Sequence, residues 1–203
     1  VPVEKYKLED MPRFETPITR ILLAGRISIQ KGQMDAIKAV ELLIQRGIDN
    51  VLLTLVGQGE TKEYLEYVKS YVKKHGLEQR VCILEHLDDL RELRRQCDIG
   101  LTCSKKEAFG RVTVENMLAK MLVIGANTGG TMEIINDGYN GLLYEEGSPE
   151  SLAERIEYVM LHKDNVQQMI EQGFACAIED YSINRVVMQI LTLYKSIDKR
   201  FTV

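Results

Sequence analysis

The sequence lacks tryptophan and has only four phenylalanines among its 203 residues. Tryptophan and phenylalanine, two of the side chains that stack on bases, are therefore in short supply, and a formal net charge of −4 offers no excess of cations for a phosphate backbone. A nucleic-acid partner is not expected. No apolar run approaches the ~18–20 residues that a membrane-spanning helix needs, and no signal peptide is visible. These absences predict a cytoplasmic protein.

Cysteine and histidine are also too sparse to suggest a metal centre. The four cysteines (Cys82, Cys97, Cys103 and Cys176) form no C-x-x-C pair, and there are only three histidines. A zinc site is therefore not expected, and neither a metal nor a cofactor is predicted. We expect the cysteines to be reduced thiols that serve as small core residues.

The amino-terminal segment differs in composition from the rest of the chain. It starts with Val1 instead of methionine, and residues 1–19 hold three of the four prolines: Pro2, Pro12 and Pro17. We interpret residues 1–19 as an irregular linker between domains, and the chain as part of a longer protein. The chain as a whole, with 45% hydrophobic residues, has the composition of a globular domain.

Six short β-rich runs recur, and most of them are continuously apolar, as buried parallel strands tend to be. They occupy residues 20–24, 51–56, 81–84, 98–102, 123–126 and 141–144. Helical patterns lie between them. Strands alternating with helices predict an α/β fold, here a doubly wound, six-stranded parallel sheet of order 3-2-1-4-5-6.

After the sixth run the pattern becomes helical only. Ser148, Pro149 and Glu150 combine a capping side chain, a proline suited to the first helical position and an acid in the first turn. We predict helices over residues 149–162, 166–179 and 184–198. The main domain is thus assigned to residues 20–183, and a carboxyl-terminal helical segment to residues 184–203.

In the predicted strand order, strands one and four are neighbours, and ligands bind where the winding reverses. The loop after strand one carries Arg26, Lys31 and Gly32. A guanidinium fork and a compact ammonium both suit phosphate oxygens, and the glycine allows close backbone approach. Alternatively, both cations are merely solvated, or Arg26 pairs with an acid. The loop is not a P-loop, because the G-x-x-x-x-G-K-S/T pattern is absent.

The loop after strand four leads to a predicted helix that starts around Gly110, whose first amides would form an anion site. Glu107 lies before this helix and Glu115 in its second turn. If the whole segment were helical, the two would be ~12 Å apart. Glycosidase pairs are closer, at ~5–5.5 Å or ~6.5–9.5 Å. The spacing favours two anchors for ligand hydroxyls, although Glu115 could also be an exposed helix residue and Glu107 a partner of the helix dipole.

Two further loops contain glycines, and they are weaker signals of a ligand-binding site. The Val56-Gly57-Gln58-Gly59 segment after strand two is half of a dinucleotide-binding fingerprint, and a plain turn explains it as well. Gly129 and Gly130 open a short helix after strand five. Such a pair lets the backbone approach a ligand, but turn geometry accounts for it equally.

In order along the chain, these motifs resemble those of the carboxyl-terminal domain of retaining GT-B glycosyltransferases of group 1 (family four). The resemblance covers residues 20–197. Its carrying residues are Gly25-Arg26 with Lys31-Gly32, Val56-Gly57-Gln58-Gly59, Asp98 with Ser104, Glu107-Ala108-Phe109-Gly110 with Glu115, Gly129-Gly130-Thr131 with Glu133-Ile134-Ile135, and Asp137-Gly138 with Asn140-Gly141.

The resemblance implies a role for each matching position. Arg26 and Lys31 would neutralise the diphosphate of a nucleotide-sugar donor, Glu107 would hold sugar hydroxyls and Glu115 the ribose hydroxyls. Further donor-binding residues would be Gly57, His86 near the base, and the backbone amides of Phe109, Gly110, Arg111, Val112 and Thr113. No metal is implied, and UDP-sugars are favoured over GDP- or ADP-sugars on the breadth of the family.

The sequence also departs from the family pattern. Lys120 and Leu122 stand where the family usually has glycine and proline, and Glu85 replaces a usual glycine in the turn after strand three. The resemblance therefore does not predict how the helix after Gly110 ends or which base is recognised.

The resemblance implies a second, amino-terminal domain that binds a saccharide or lipid-linked acceptor. Residues 184–203 would face that domain, leaving Val187, Ile190, Leu191 and Tyr194 partly exposed, unless this face packs on its own domain. The parent protein would be a glycosyltransferase of polysaccharide biosynthesis that could associate peripherally with a membrane. The isolated chain is expected to be inactive. The alternative is a module that binds a nucleotide or sugar phosphate without catalysis.

Overall fold

A computed structural model describes residues 1–8 and 13–197, and its centre is a six-stranded parallel sheet. The strands follow the order β3-β2-β1-β4-β5-β6, as predicted. Each boundary lies within one residue of the prediction. The strands are β1 Thr19–Ala24, β2 Val51–Val56, β3 Val81–Leu84, β4 Ile99–Thr102, β5 Leu122–Ala126 and β6 Leu142–Tyr144.

Helices cover both faces of the sheet and complete the chain. Ser148 caps the helix that begins at Pro149, because its hydroxyl accepts a hydrogen bond from the amide of Ser151 at 3.2 Å. The helices are α1 Val3–Tyr6, α2 Gln33–Gln45, α3 Lys62–Lys74, α4 Arg91–Gln96, α5 Arg111–Leu118, α6 Gly129–Ile134, α7 Pro149–Leu161, α8 Lys163–Tyr181 and α9 Ile183–Ile197. The predicted helix end at Asp198 lies outside the described residues.

Side chains of β1 alternate between two separate parts of the core. Ile21 and Leu23 pack with residues of α2 and α7, whereas Leu22 and Ala24 face a cluster that includes Cys97 and Ala119. A strand that is buried on both faces needs apolar side chains at successive positions, which explains its continuous apolar run. The doubly wound α/β fold is thus confirmed.

The segment before β1 is more ordered than the expected irregular linker. It contains the one-turn helix α1, and Leu8 and Phe14 are buried. The guanidinium of Arg13 donates hydrogen bonds to the backbone carbonyls of Arg94, Cys97, Ala119 and Lys120. Apolar burial and these bonds hold the segment against the domain. Pro12 lies outside the described residues, and a role as an interdomain linker stays a prediction.

The chain leaves helix α5 at Lys120, the position where the family usually has glycine. Lys120 adopts the left-handed φ of 52° that glycine usually supplies after a helix. The amide of Lys120 donates to the carbonyl of Met117 at 2.9 Å, and the amide of Met121 donates to that of Asn116 at 3.0 Å. The helix therefore ends as it would with glycine, at the cost of local strain.

The final helix, α9, exposes the apolar side chains that were expected to be exposed. Val187, Ile190, Leu191 and Tyr194 are each 45–54% accessible, and α9 buries no residue. The alternative, that this face packs on its own domain, is therefore wrong for the described residues. Residues 198–203, the rest of the predicted segment, lie outside them.

The cysteines only partly follow the prediction. Cys97 and Cys103 are buried, and burial raises the pKa of both thiols to about 12. Cys82, on the edge strand β3, is exposed instead, and Cys176 is intermediate. In residues 1–8 and 13–197, no helix is long and apolar enough to cross a membrane, and no cluster of three or more His, Cys, Asp or Glu could hold a metal ion.

Candidate functional site

The carboxyl ends of β1 and β2 open onto a cavity of about 580 Å³, at the edge of the sheet where the winding reverses. This is where topology alone placed a ligand. Five of the predicted site residues line the cavity: Arg26, Gly57, His86, Val112 and Glu115. The remaining wall includes Gln58, Glu60, Leu87, Leu90 and Arg94.

Buried Gln33 fixes the loop after β1. Its amide oxygen accepts from the backbone of Ser28 at 3.2 Å, and its amide nitrogen donates to the carbonyl of Arg26 at 2.8 Å. The amide of Ile27 also donates to the carbonyl of Gln58 at 2.9 Å, which joins this loop to the loop after β2. Gln33 was not singled out from the sequence, because a polar residue in the first turn of a helix is ordinarily exposed.

Two glycines allow the loops around the cavity to approach one another. A Cβ on Gly57, whose φ is 152°, would lie 2.0 Å from the carbonyl oxygen of Gly25. A Cβ on Gly32, with φ of 65°, would lie 2.1 Å from the carbonyl oxygen of Cys103. Both positions therefore need glycine for close backbone packing as well as for conformation.

Arg26 lies at the mouth of the cavity and is paired with an acid, one of the alternatives considered above. Its Nη1 is 3.2 Å from Oε1 of Glu60, and the two side chains are 66% and 47% exposed. Pairs this exposed contribute at most about 1 kcal/mol, so a ligand phosphate can displace Glu60 at small cost.

Lys31 and Glu107 form a tighter pair in a narrow cleft that adjoins the cavity. The Lys31 Nζ donates to Oε2 of Glu107 at 2.8 Å, and the amide of Gly110 donates to Oε1 at 3.3 Å. Burial by itself raises the pKa of Glu107, but the hydrogen bonds from Lys31, Ser104 and Gly110 outweigh it and hold the pKa below its ordinary value. Glu107 is therefore ionised at neutral pH.

The amino-terminus of α5 borders both spaces, because Val112 lines the cavity and the cleft. Gly110 precedes the helix with a φ of 86°. The first amides of an α-helix have no partner within the helix, so those of Arg111, Val112 and Thr113 can bind an anion. The helix begins one residue after Gly110, close to the prediction.

Several side chains of this segment point elsewhere. Thr113 is buried and its hydroxyl bonds that of Thr102 at 2.9 Å. The ring of Phe109 is half-exposed and lies edge-on to Tyr181, with centroids 6.0 Å apart. The side chain of Arg111 is 75% exposed, and its Nη2 lies 3.6 Å from Oε1 of Glu115. Thr113, Phe109 and Arg111 do not line the cavity, and the binding of a ligand by the backbone of this segment stays a prediction.

The glycine pair at the start of α6 supports the Glu107 loop from behind. The amide of Gly130 donates to the carbonyl of Glu107 at 2.7 Å. A Cβ on Gly129 would lie 2.4 Å from that same oxygen, and one on Gly130 would lie 2.9 Å from the carbonyl oxygen of Ala108. Close packing of two loops thus accounts for this pair.

Glu115 is buried, so the alternative of an exposed helix residue is wrong. Its Oε2 accepts a hydrogen bond from Nη2 of Arg94 at 2.6 Å, and both side chains are less than a tenth exposed. Sequence reasoning missed Arg94. The only signal was the Arg94-Arg95 pair in a short helix, and nothing in the sequence shows which arginine points inward.

The opposite rim is less polar. His86 lines it with Leu87 and Leu90, and the imidazole Nε2 lies 3.3 Å from Oδ1 of Asp88. The site thus combines cations and a helix amino-terminus on one side, a buried carboxylate in the wall and a partly apolar rim. This combination suits an elongated ligand. Such a ligand carries an anionic centre and hydroxyl groups at its ends.

A family model described as "Glycosyl transferases group 1" matches residues 11–175. The chain belongs to this family. A curated relative, the N-acetyl-alpha-D-glucosaminyl L-malate synthase of Bacillus anthracis, is 30% identical over 164 residues, which cover 81% of the chain and 42% of the relative. The chain spans about half the length of the first curated relatives it matches.

Solved structures show the same glycosyltransferase fold. The HepE protein of Anabaena, solved in complex with UDP, is 25% identical with a TM-score of 0.87, covering 97% of this chain and 56% of HepE. The carboxyl-terminal domain of a group 1 glycosyltransferase, LpcC of Francisella tularensis, shares the fold with a TM-score of 0.77 at 23% identity. That match covers 90% of this chain and 99% of the LpcC domain. This chain therefore has the fold of a GT-B carboxyl-terminal domain.

Proposed function

We propose that this chain is the donor-binding domain of a glycosyltransferase that moves a sugar from a nucleoside diphosphate to a saccharide or lipid-linked acceptor with retention of configuration. One observation carries the proposal. At the switch point of the sheet, Arg26 and the buried carboxylate of Glu115 line the main cavity, Lys31 lines the adjoining cleft, and the amino-terminus of α5 borders both. Membership of the group 1 family supports the same reaction class.

The proposed reaction breaks the bond between the anomeric carbon and the β-phosphate oxygen. That oxygen leaves as part of the nucleoside diphosphate and gains negative charge. In this proposal Arg26, Lys31 and the first amides of α5 stabilise this charge, which lowers the barrier because the stabilisation grows towards the transition state. The acceptor oxygen bonds the anomeric carbon on the same face and passes its proton to the departing diphosphate oxygen.

The two glutamates have different roles in this proposal. Glu107, which is ion-paired with Lys31, holds sugar hydroxyls near the reacting carbon. Glu115 accepts hydrogen bonds from the ribose hydroxyls in the main cavity. Since the glutamates line separate spaces that share only Ala24 and Val112, they suit anchors along one ligand better than a hydrolytic pair.

The proposed donor is a UDP-sugar, and the proposed chemistry needs no metal or further cofactor. The similarity to HepE, whose structure was solved with UDP, supports this choice over GDP or ADP. The base would lie along the rim formed by His86, Leu87 and Leu90, near Gly57. The backbone amides from Phe109 to Thr113 would bind the sugar and the phosphates.

The acceptor would be bound by a separate amino-terminal domain against which the apolar face of α9 packs. We place the parent protein in the cytoplasm, in contact with a membrane surface where its acceptor is lipid-linked. The isolated chain would bind donor without transferring sugar. The alternative, a nucleotide-binding module without catalysis, is kept because the chain spans only about half of its relatives. Sugar transfer by the chain joined to an acceptor domain would exclude it.

Calorimetric titration of UDP, GDP and ADP tests the proposal. We expect UDP to bind most tightly, and Arg26→Ala and Glu115→Ala each to weaken UDP roughly tenfold, because each removes a charge-assisted contact. Arg46→Ala is the matched control, since Arg46 pairs with Glu157 away from the cavity. Equal affinity of the parent chain, Arg26→Ala and Glu115→Ala for each nucleotide would rule the assignment out.

A further inference from the structure

Arg94 is a buried cation in the wall of the cavity. It is 2% exposed, and burying a charge is unfavourable unless partners replace water. Its Nη2 donates to Oε2 of Glu115 at 2.6 Å and its Nε donates to Oδ1 of Asn116 at 3.1 Å. The guanidinium fork thus holds two consecutive residues of α5.

The surroundings of Arg94 restrict its movement. The ring of Tyr6 covers the guanidinium, with 5.3 Å from Cζ to the ring centroid, and Nη1 of Arg13 donates to the backbone carbonyl of Arg94 at 2.9 Å. On the far side of Asn116 is Gly100 in β4, where a Cβ would lie 2.3 Å from Nδ2 of Asn116. Tyr6 and Arg13 thus restrain Arg94, and close packing on Gly100 restrains its partner Asn116.

The two carboxylate oxygens of Glu115 have different partners. Oε2 is held at 2.6 Å by Arg94, whereas Oε1 lies 3.6 Å from the exposed guanidinium of Arg111. A carboxylate has about four lone-pair sites, so a fixed Oε2 leaves acceptor capacity on Oε1. Glu115 lines the cavity and Arg111 is exposed and beyond hydrogen-bonding distance, so a ligand in the cavity can compete with Arg111 for Oε1.

We propose that Arg94 is a positioning residue that orients Glu115 for the two ribose hydroxyls of the donor. The inference rests on the proposed function, which assigns those hydroxyls to Glu115. Arg94 acts through the carboxylate and takes no part in the chemistry. A merely structural ion pair would instead join α4 to α5 and affect every ligand of the cavity alike.

The test compares UDP with 2′,3′-dideoxyuridine diphosphate, which lacks both hydroxyls. We expect the parent chain to prefer UDP roughly tenfold or more, as two hydrogen bonds to a carboxylate imply. In Arg94→Met the ratio of the two affinities should fall close to one, through weaker UDP binding, while the affinity for the dideoxy compound stays the same. Arg95→Met is the matched control, because Arg95 is an exposed neighbour that does not line the cavity.

Arg94→Lys keeps a cation beside the buried carboxylate and decides the question if Arg94→Met does not fold. A single ammonium does not reproduce the planar fork that holds Glu115 and Asn116 together, so the ratio should fall here too. Thermal unfolding confirms that each variant is folded. A ratio like that of the parent chain in Arg94→Lys, or an equal loss for both nucleotides in folded variants, would overturn the proposal.

Failure of the proposed function would appear before any Arg94 variant is made. If the parent chain binds the two nucleotides equally well, and Glu115→Gln changes neither affinity, then Glu115 does not bind the ribose. That result removes the basis of the proposed role of Arg94 as well. A parent chain that discriminates, combined with Arg94 variants that discriminate equally, refutes the role of Arg94 alone.

Discussion

Arg26 and Lys31 each face a carboxylate, and the two ion pairs differ in exposure. The Arg26–Glu60 pair is open to solvent, with side chains 66% and 47% exposed, whereas Lys31 and Glu107 are 35% and 17% exposed. Water screens the first pair more strongly and makes it the easier one to exchange. A diphosphate would therefore compete mainly with Glu60 for Arg26.

Replacing Glu60 with glutamine should strengthen diphosphate binding. The substitution frees Arg26 from its ion pair and removes a negative charge from the wall of the cavity. We expect the dissociation constant for UDP to fall by roughly two- to fivefold, which corresponds to less than about 1 kcal/mol. Calorimetry at low and high salt checks this, since the gain should shrink as salt screens the charges.

Glu63→Gln is the control for that prediction. It also removes one negative charge, but from a residue of α3 that does not line the cavity. The explanation would be wrong if Glu60→Gln weakened UDP binding, or if Glu63→Gln strengthened it as much.

Single residues show where sequence reasoning about the site stops. Gly57 was assigned only through the family resemblance, whereas Arg26 and Glu115 could be placed at one cavity because the strand order fixes which loops meet. Arg94 could not, since its partner lies 21 residues away on another helix and either of two adjacent arginines could have pointed inward. Gln33 was missed for a similar reason, as its burial depends on the path of the preceding loop.

At the scale of elements, the sheet was the most predictable part. Most of its strands are buried on both faces, so they appear as short apolar runs with clear ends, and their order is the usual one for a doubly wound sheet of six strands. The segment before β1 was less predictable. Its order depends on Arg13 reaching the carbonyls of distant elements and on burial of Phe14, neither of which leaves a local pattern.

The exit of α5 gives a prediction about strain. Lys120 has a φ of 52°, where any residue with a Cβ is disfavoured by about 1–2 kcal/mol. Substituting either alanine or glycine removes the contacts of the Lys120 side chain with Glu171 and Phe174, but only glycine relieves the strain. Lys120→Gly should therefore be more stable than Lys120→Ala by about 1 kcal/mol, the reverse of the order in a helix interior.

Urea denaturation of the two variants measures that difference. The same pair of substitutions at Lys69, in the exposed middle of α3, is the control and should favour alanine. Equal stability of Lys120→Gly and Lys120→Ala would show that the left-handed conformation carries no strain.

At the scale of the whole molecule, α9 stands apart from the core. It buries no residue, and its exposed apolar side chains suit the surface of another domain. Removing residues 183–203 should therefore change the melting temperature of the chain by less than about 3 °C and leave UDP binding intact. Differential scanning calorimetry checks the first expectation. A drop of ten degrees or more would show that α9 supports the domain itself.

The central claim is that the switch point of the sheet binds a nucleoside diphosphate, and NMR titration of the labelled chain with UDP tests it most directly. We predict saturable shifts of the backbone amides of Arg111, Val112 and Thr113 and of residues 25–32, with the amides of α7 unchanged. Saturable shifts around the second cavity beside α6 and α8, or none anywhere at about 1 mM UDP, would contradict the account.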